Sequence, residues 1–143
     1  MDTTTTPAVT VATAPALARA VLGEIAAALA KLAASGETSL IDLRSLPLAE
    51  TDLAALSELL GHGEVHCELD VAGRSEVRET GASGVWWIRH FSGSGDVIVD
   101  EIAVTRIPDI LVTHPDDVAV AAERLSAALA APVPTHEEEL SRG

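Results

Sequence analysis

Apolar residues recur every three or four positions between Ala16 and Ala34, where Leu17, Val21, Ile25, Leu29 and Leu32 fall on one side of a helix. Pro15 suits its start and Gly36 its end. The segment Ser39-Leu40-Ile41-Asp42-Leu43-Arg44 is short, apolar and bounded by Gly36 and Pro47, which predicts a strand. From Ala49 to Leu60 the leucines at 53, 56, 59 and 60 form one stripe, and Gly61 stops it: a short amphipathic helix.

The middle of the chain changes period from 3.6 to two. Between Glu64 and Val71 the alternation predicts Val65, Cys67, Leu69 and Val71 facing inward, with Glu64, His66, Glu68 and Asp70 facing outward. Gly73 marks a reversal, and Arg74 to Thr80 continues as a polar strand with Val77 to bury. The stretch from Gly84 to Phe91 holds every aromatic ring of the chain. Its alternation sets Val85, Trp87, Arg89 and Phe91 on one face against Trp86, Ile88 and His90 on the other. After a glycine-rich turn from Ser92 to Asp96, Val97 to Arg106 returns as a partner strand ended by Pro108. A last helix opens at Pro115, with Asp116 and Asp117 in its first turn and Val118, Ala121, Ala122, Leu125, Ala128 and Leu129 as its expected buried stripe.

Short glycine turns between successive strands predict an antiparallel meander. The expected fold is α+β: a four- to five-stranded meander sheet with two to three helices packed on one face. Residues 1–15 read as a disordered leader, 16–131 as a single domain and 132–143 as an acidic disordered tail.

Composition narrows the chemistry. The chain is 48% hydrophobic, yet only three residues are aromatic, so alanine, leucine and valine supply the packing. A formal charge of −13 disfavours nucleic acid and anionic membrane surfaces as partners and leaves a basic peptide or basic protein patch as the complementary one. The single cysteine, Cys67, forms no internal disulfide and suits a reducing compartment. The first residues lack the basic start of a signal peptide, and no stretch approaches 18 uninterrupted apolar residues, so a cytoplasmic protein is expected.

The wording of several segments adds to their pattern. Ile41-Asp42-Leu43-Arg44-Ser45-Leu46-Pro47-Leu48, then Asp52-Leu53, Leu59-Leu60-Gly61-His62-Gly63-Glu64-Val65 and Gly84-Val85-Trp86-Trp87-Ile88-Arg89-His90 resemble the HupH/HyaF family of hydrogenase expression/formation proteins, over about residues 17–111. The resemblance implies a non-enzymatic, chaperone-like accessory protein for maturation of nickel–iron hydrogenase. It further implies a partner in the small, iron–sulfur subunit before export or assembly, with other maturation proteins as further candidates, and a single domain of the C-terminal type. Ala49 stands where a Ser or Thr helix cap is expected.

Candidate sites follow from the strands. Trp87, Val85 and Phe91 are expected to anchor the core, while Trp86, Ile88 and His90 lie on the second sheet face for a partner or a second copy of the chain to cover. The acidic ladder Glu64, His66, Glu68 and Asp70, with Glu76 and Glu79 on the next strand, would receive a basic segment such as a twin-arginine export signal. His66 and Cys67 are strand neighbours pointing to opposite faces, so they do not share an ion, and Cys67 reads as a small buried hydrophobe. Neither a metal site nor a cofactor is expected. No nucleophile elbow, phosphate-cradling loop or H-E-x-x-H helix is present, and the glycines at 93 and 95 are explained by a hairpin. The alternative to a maturation factor is a structural component that docks on the hydrogenase or dimerises through its open sheet face and its alanine-rich first helix.

Overall fold

The computed structural model describes residues 9–70 and 73–134. The chain divides into two compact units, Met1–Pro108 and Asp109–Gly143, where the sequence anticipates one domain over 16–131. The first unit carries two helices, α1 (Ala16–Ser35) and α2 (Glu50–Leu60), and five strands: β1 (Ser39–Asp42), β2 (His66–Asp70), β3 (Arg74–Glu79), β4 (Val85–Phe91) and β5 (Val97–Val104). The second carries α3 (Pro115–Ala130). All strand pairings are antiparallel, in the order β1-β5-β4-β3-β2. Strands β2 to β5 are the expected meander, and β1 returns to the far side of β5. The result is an α+β fold with an open five-stranded sheet.

Directly paired residues share a face. On the helix-bearing face Val85, Trp87, Ile102 and Val104 meet Val21 and Ile25 of α1 and Leu56 and Leu60 of α2 in one core. Trp87 is 1% exposed and supplies the largest ring of that core. Aliphatic side chains fill the rest, each contributing on the order of 1.5–3 kcal/mol by leaving water. On α1 the buried line runs through Ala18, Val21, Ile25 and Ala28, while Leu17 faces solvent. Small alanines at 18 and 28 bring the helix close to its neighbours.

Two glycines are required by geometry. At Gly84 φ is +91°, a left-handed conformation that turns the chain into β4, and its carbonyl accepts the Thr105 N–H at 2.9 Å. At Gly63 a Cβ would stand 2.6 Å from the Thr80 carbonyl oxygen, so only glycine lets the turn after α2 lie against β3. The Gly63 N–H donates to the Glu79 carbonyl at 2.9 Å.

Several expectations change here. The leader expectation falls partly outside the described residues, but within it Ala14 is buried in the core and the Val9 N–H donates to Glu58 Oε1 at 3.1 Å. Of the expected tail, 135–143 lie outside the described residues. Phe91, expected in the core, stays half-buried outside it, because β4 runs past the helix-covered area and the Arg74 guanidinium stacks on the ring at 4.5 Å. Helix α3 forms where expected, with Pro115 in its first turn and His114 Nδ1 accepting the Asp116 N–H at 3.1 Å. Its expected stripe is not buried: no residue of α3 is, and Leu125 is 66% exposed. Apolar periodicity signals a helix with one oily side, but does not say whether the same chain covers it.

Candidate functional site

The helix-bearing face of the sheet changes character along β4. At one end lies the core; at the other, the register lines up Glu68, Glu76, Arg89 and Asp100 across four strands. Trp87 sits at the border. Its indole N–H donates to Asp100 Oδ1, which also accepts from Arg89 Nε at 3.3 Å. Asp100 is 6% exposed, and a carboxylate that dry is stable only when it is paired and hydrogen-bonded, as it is here. The guanidiniums of Arg78 and Arg89 lie 5.0 and 5.2 Å from the centre of the Trp87 ring.

Arg78 ties this border to α2. It donates to the Gly61 carbonyl at 3.3 Å and to Ser57 Oγ at 3.4 Å, and it lies 3.1 Å from His62 Nδ1. Burial, and then the neighbouring Arg89, hold its pKa below the ordinary arginine value, with Glu76 and Asp100 opposing that shift. The guanidinium remains charged.

Beyond the border the surface is open and acidic. Glu64, His66, Glu68 and Asp70 are all exposed. His66, Glu68 and Asp70 pair with Arg78, Glu76 and Arg74, which places them on the helix-bearing face; the sequence reading assigned the inward face to their neighbours instead. Cys67 and Leu69 are half-buried on the reverse face, and Val65 is exposed. The reading followed parity correctly within β2 but did not contain the pairing that decides which parity meets the helices.

Glu76, expected beside the ladder on the next strand, is drawn into it by the hairpin, directly opposite Glu68. Its carboxylate receives Arg74 Nη2 at 3.1 Å, with His66 Nε2 at 3.8 Å. Donor atoms of His66, Glu68 and Glu76 lie within 4.8 Å of one another, a grouping of metal-ligand types that linear spacing does not reveal. With Arg74 already on Glu76, the group is a partly neutralised patch of carboxylates at the sheet edge. Glu79 is used internally: its Oε1 accepts the Glu64 N–H at 3.1 Å and holds the start of the ladder in place.

The reverse face was expected to offer Trp86, Ile88 and His90 to a partner. Trp86 is 6% exposed and Ile88 4%, so these two are covered within the chain. The Trp86 indole N–H donates to the Thr105 carbonyl at 3.1 Å, which ties the ring to the chain just past β5, and the residue opposite it is the small Ala103. His90 is half-buried and hydrogen-bonded through Nδ1 to Ser75 Oγ. Beside it Glu101 has its pKa raised, first by burial and then by Asp42, with His90 opposing.

The segments whose wording carried the family resemblance are structural. Asp42 Oδ1 accepts the Arg44 N–H at 3.0 Å, and Arg44 Nη1 donates to the Val97 carbonyl at 2.8 Å, bracing β1 against β5. Gly61 and Gly63 shape the entry to β2, and Gly84 through His90 is the central strand. None of these segments assembles a nucleophile with a base.

Comparison with known proteins agrees with this architecture. The family model described as "HupH hydrogenase expression protein, C-terminal conserved region" matches residues 8–131. The hydrogenase expression/formation protein HoxQ of Azotobacter vinelandii is 32% identical over 85 residues, which is 59% of this chain and 30% of that protein. The hydrogenase-1 operon protein HyaF of Escherichia coli (strain K12) is 31% identical over 86 residues, 60% of this chain and 30% of that protein. The chain thus spans about a third of the length of the curated relatives it matches. The solved structure of the hydrogenase expression protein HupH from Thiobacillus denitrificans ATCC 25259 superposes with a TM-score of 0.76 at 40% identity, covering 80% of this chain and 95% of that one. With the sheet, its glycine turns and the aromatic central strand all in place, the chain belongs to the family defined by the C-terminal conserved region of HupH hydrogenase expression proteins.

Proposed function

We propose that the chain acts in hydrogenase maturation as a chaperone-like binding module, holding the hydrogenase small-subunit precursor in the cytoplasm without covalent chemistry. The names of its relatives support the hydrogenase context. One observation carries the mode of action: the exposed row Glu64, His66, Glu68 and Asp70, leading into and along edge strand β2, in a chain of charge −13. An edge strand offers its outer backbone groups to an extended segment, and carboxylates alongside select a basic one. The segment that fits is an arginine-bearing extended stretch of the precursor, such as a twin-arginine export signal. The polar border at Asp100 and Arg89 is built for rigidity, with its charges already paired. Holding by surface masking needs no more than this.

The test is direct binding of purified precursor to the wild-type chain and to a variant carrying Glu64→Lys, Glu68→Lys and Asp70→Lys, at low salt. Each exposed charge contact contributes about 0.2–1 kcal/mol, so reversing three should weaken binding by about tenfold or more, and added salt should weaken the wild type likewise. Equal affinity for both proteins would remove β2 as the docking strand.

A further inference from the structure

We infer that the opposite edge of the sheet is where a second copy of the chain docks, β1 against β1 and α1 against α1 about a two-fold axis. Strand β1 pairs with β5 on one side only, and among the described residues no strand lies on its other side. Natural edges are blunted by short length, charge, proline or a bulge. Strand β1 is short and ends in Asp42, but it has no lysine, proline or bulge, and Leu40 stands 63% exposed at its middle.

A groove of about 420 Å³ runs between this edge and α1. Its helix wall is Glu24, Ala27, Ala28 and Lys31, one line of i, i+3, i+4 and i+7 positions, and its strand wall is β1 itself. The outer surface of α1 is unusually low: Ala20, Gly23 and Ala27 are exposed, and a Cβ added at Gly23 would meet nothing within 4 Å. Such a surface lets a neighbouring helix approach closely. A four-residue strand alone buries little, but the 20-residue helix beside it is about 30 Å long, which extends the contact toward the roughly 800 Å² per partner of a stable interface.

Charge decides in favour of a second copy over a basic peptide at this edge. The chain as a whole is at −13, yet α1 carries Arg19, Glu24 and Lys31, a net of one positive charge. The groove adds Asp42 on its strand wall, whose Oδ1 accepts the Arg44 N–H, so self-approach here meets fewer carboxylates than at the β2 edge, with its Glu64, Glu68 and Asp70. Lys31 is the chain's single lysine, and neither it nor Glu24 has an ion-pair partner among the described residues. The two lie on one line on either side of Ala27 and Ala28. Antiparallel packing about that midpoint sets Glu24 of each copy against Lys31 of the other, the reciprocal pairing a two-fold interface requires. A basic peptide would meet Lys31 unpaired in the groove and fits the acidic β2 edge better.

Sedimentation velocity of the full chain over a concentration series tests this. The wild type should form a dimer; Leu40→Lys, at an already exposed position, should shift it to monomer with unchanged circular dichroism. Lys31→Glu and Glu24→Lys should each weaken self-association by about tenfold, since each turns two attractive pairs repulsive. An equimolar mixture of those two variants restores both attractive pairs and should associate as a heterodimer at least as tightly as the wild type. A wild type that stays monomeric, a Leu40→Lys variant that still dimerises, or a mixture that does not recover association would each overturn the interface.

Discussion

Trp86 and Trp87 show what a single residue's position in a sequence does and does not determine. Period-two alternation puts the two rings on opposite faces, and Trp87 joins the core beneath the helices. The fate of Trp86 depends on a hydrogen bond to Thr105, 19 residues on, and on an alanine opposite it, neither of which a local pattern encodes. Glu76 is legible in the sequence as an acid on the next strand, but only the β2–β3 register brings it to His66 and Glu68. Glu101 supplies a prediction at this scale. A carboxyl whose folded pKa is raised is one whose ionised form the fold disfavours. Below the unfolded-state pKa of about 4.3 it is protonated in both states and costs nothing; as pH rises from there to the folded value a penalty grows, and above the folded value it stays constant. Glu101→Gln should therefore be more stable than wild type at pH 7, by roughly a few tenths of a kcal/mol for a half-buried group, with the difference fading toward pH 4. Urea unfolding at the two pH values measures it, and a variant weaker than wild type at pH 7 would contradict the account.

At the scale of elements, the three helices and five strands of the described residues were readable from the sequence, through an apolar period or, for β1, a short apolar run, set off by glycine or proline. What the pattern misjudged was coverage. The stripes of α1 and α2 meet a sheet, whereas the equally regular stripe of α3 is not buried. The start of α2 is a case where the sequence reading was right and incomplete. Ala49 supplies no capping oxygen, but Asp52 Oδ2 accepts the Ala49 N–H at 2.7 Å, the returning half of a capping box. Ala49 is exposed and its backbone is extended, the conformation an N-cap needs. Ala49→Ser should complete the reciprocal pair and add about 0.5–1 kcal/mol, read as a rise of a few degrees in Tm. No rise in thermal unfolding would mean that the Asp52 contact already saturates the helix end.

At the scale of the whole molecule, the core belongs to the first unit: every residue of the hydrophobic cluster lies before Pro108. The family and the α+β architecture were accessible from sequence; the division into two units was not, because it is a property of contacts across the chain.

One coincidence of chemistry remains in the arrangement of the sheet's two borders. The sole thiol, Cys67, belongs to β2, and the sole side-chain amine, Lys31, flanks β1 at the other end of the five-strand order. Four strand spacings of about 4.8 Å separate those borders, close to 19 Å. Nature has thus left this molecule with two chemically distinct handles, one per margin, on which a fluorophore pair can be hung to watch either margin become occupied.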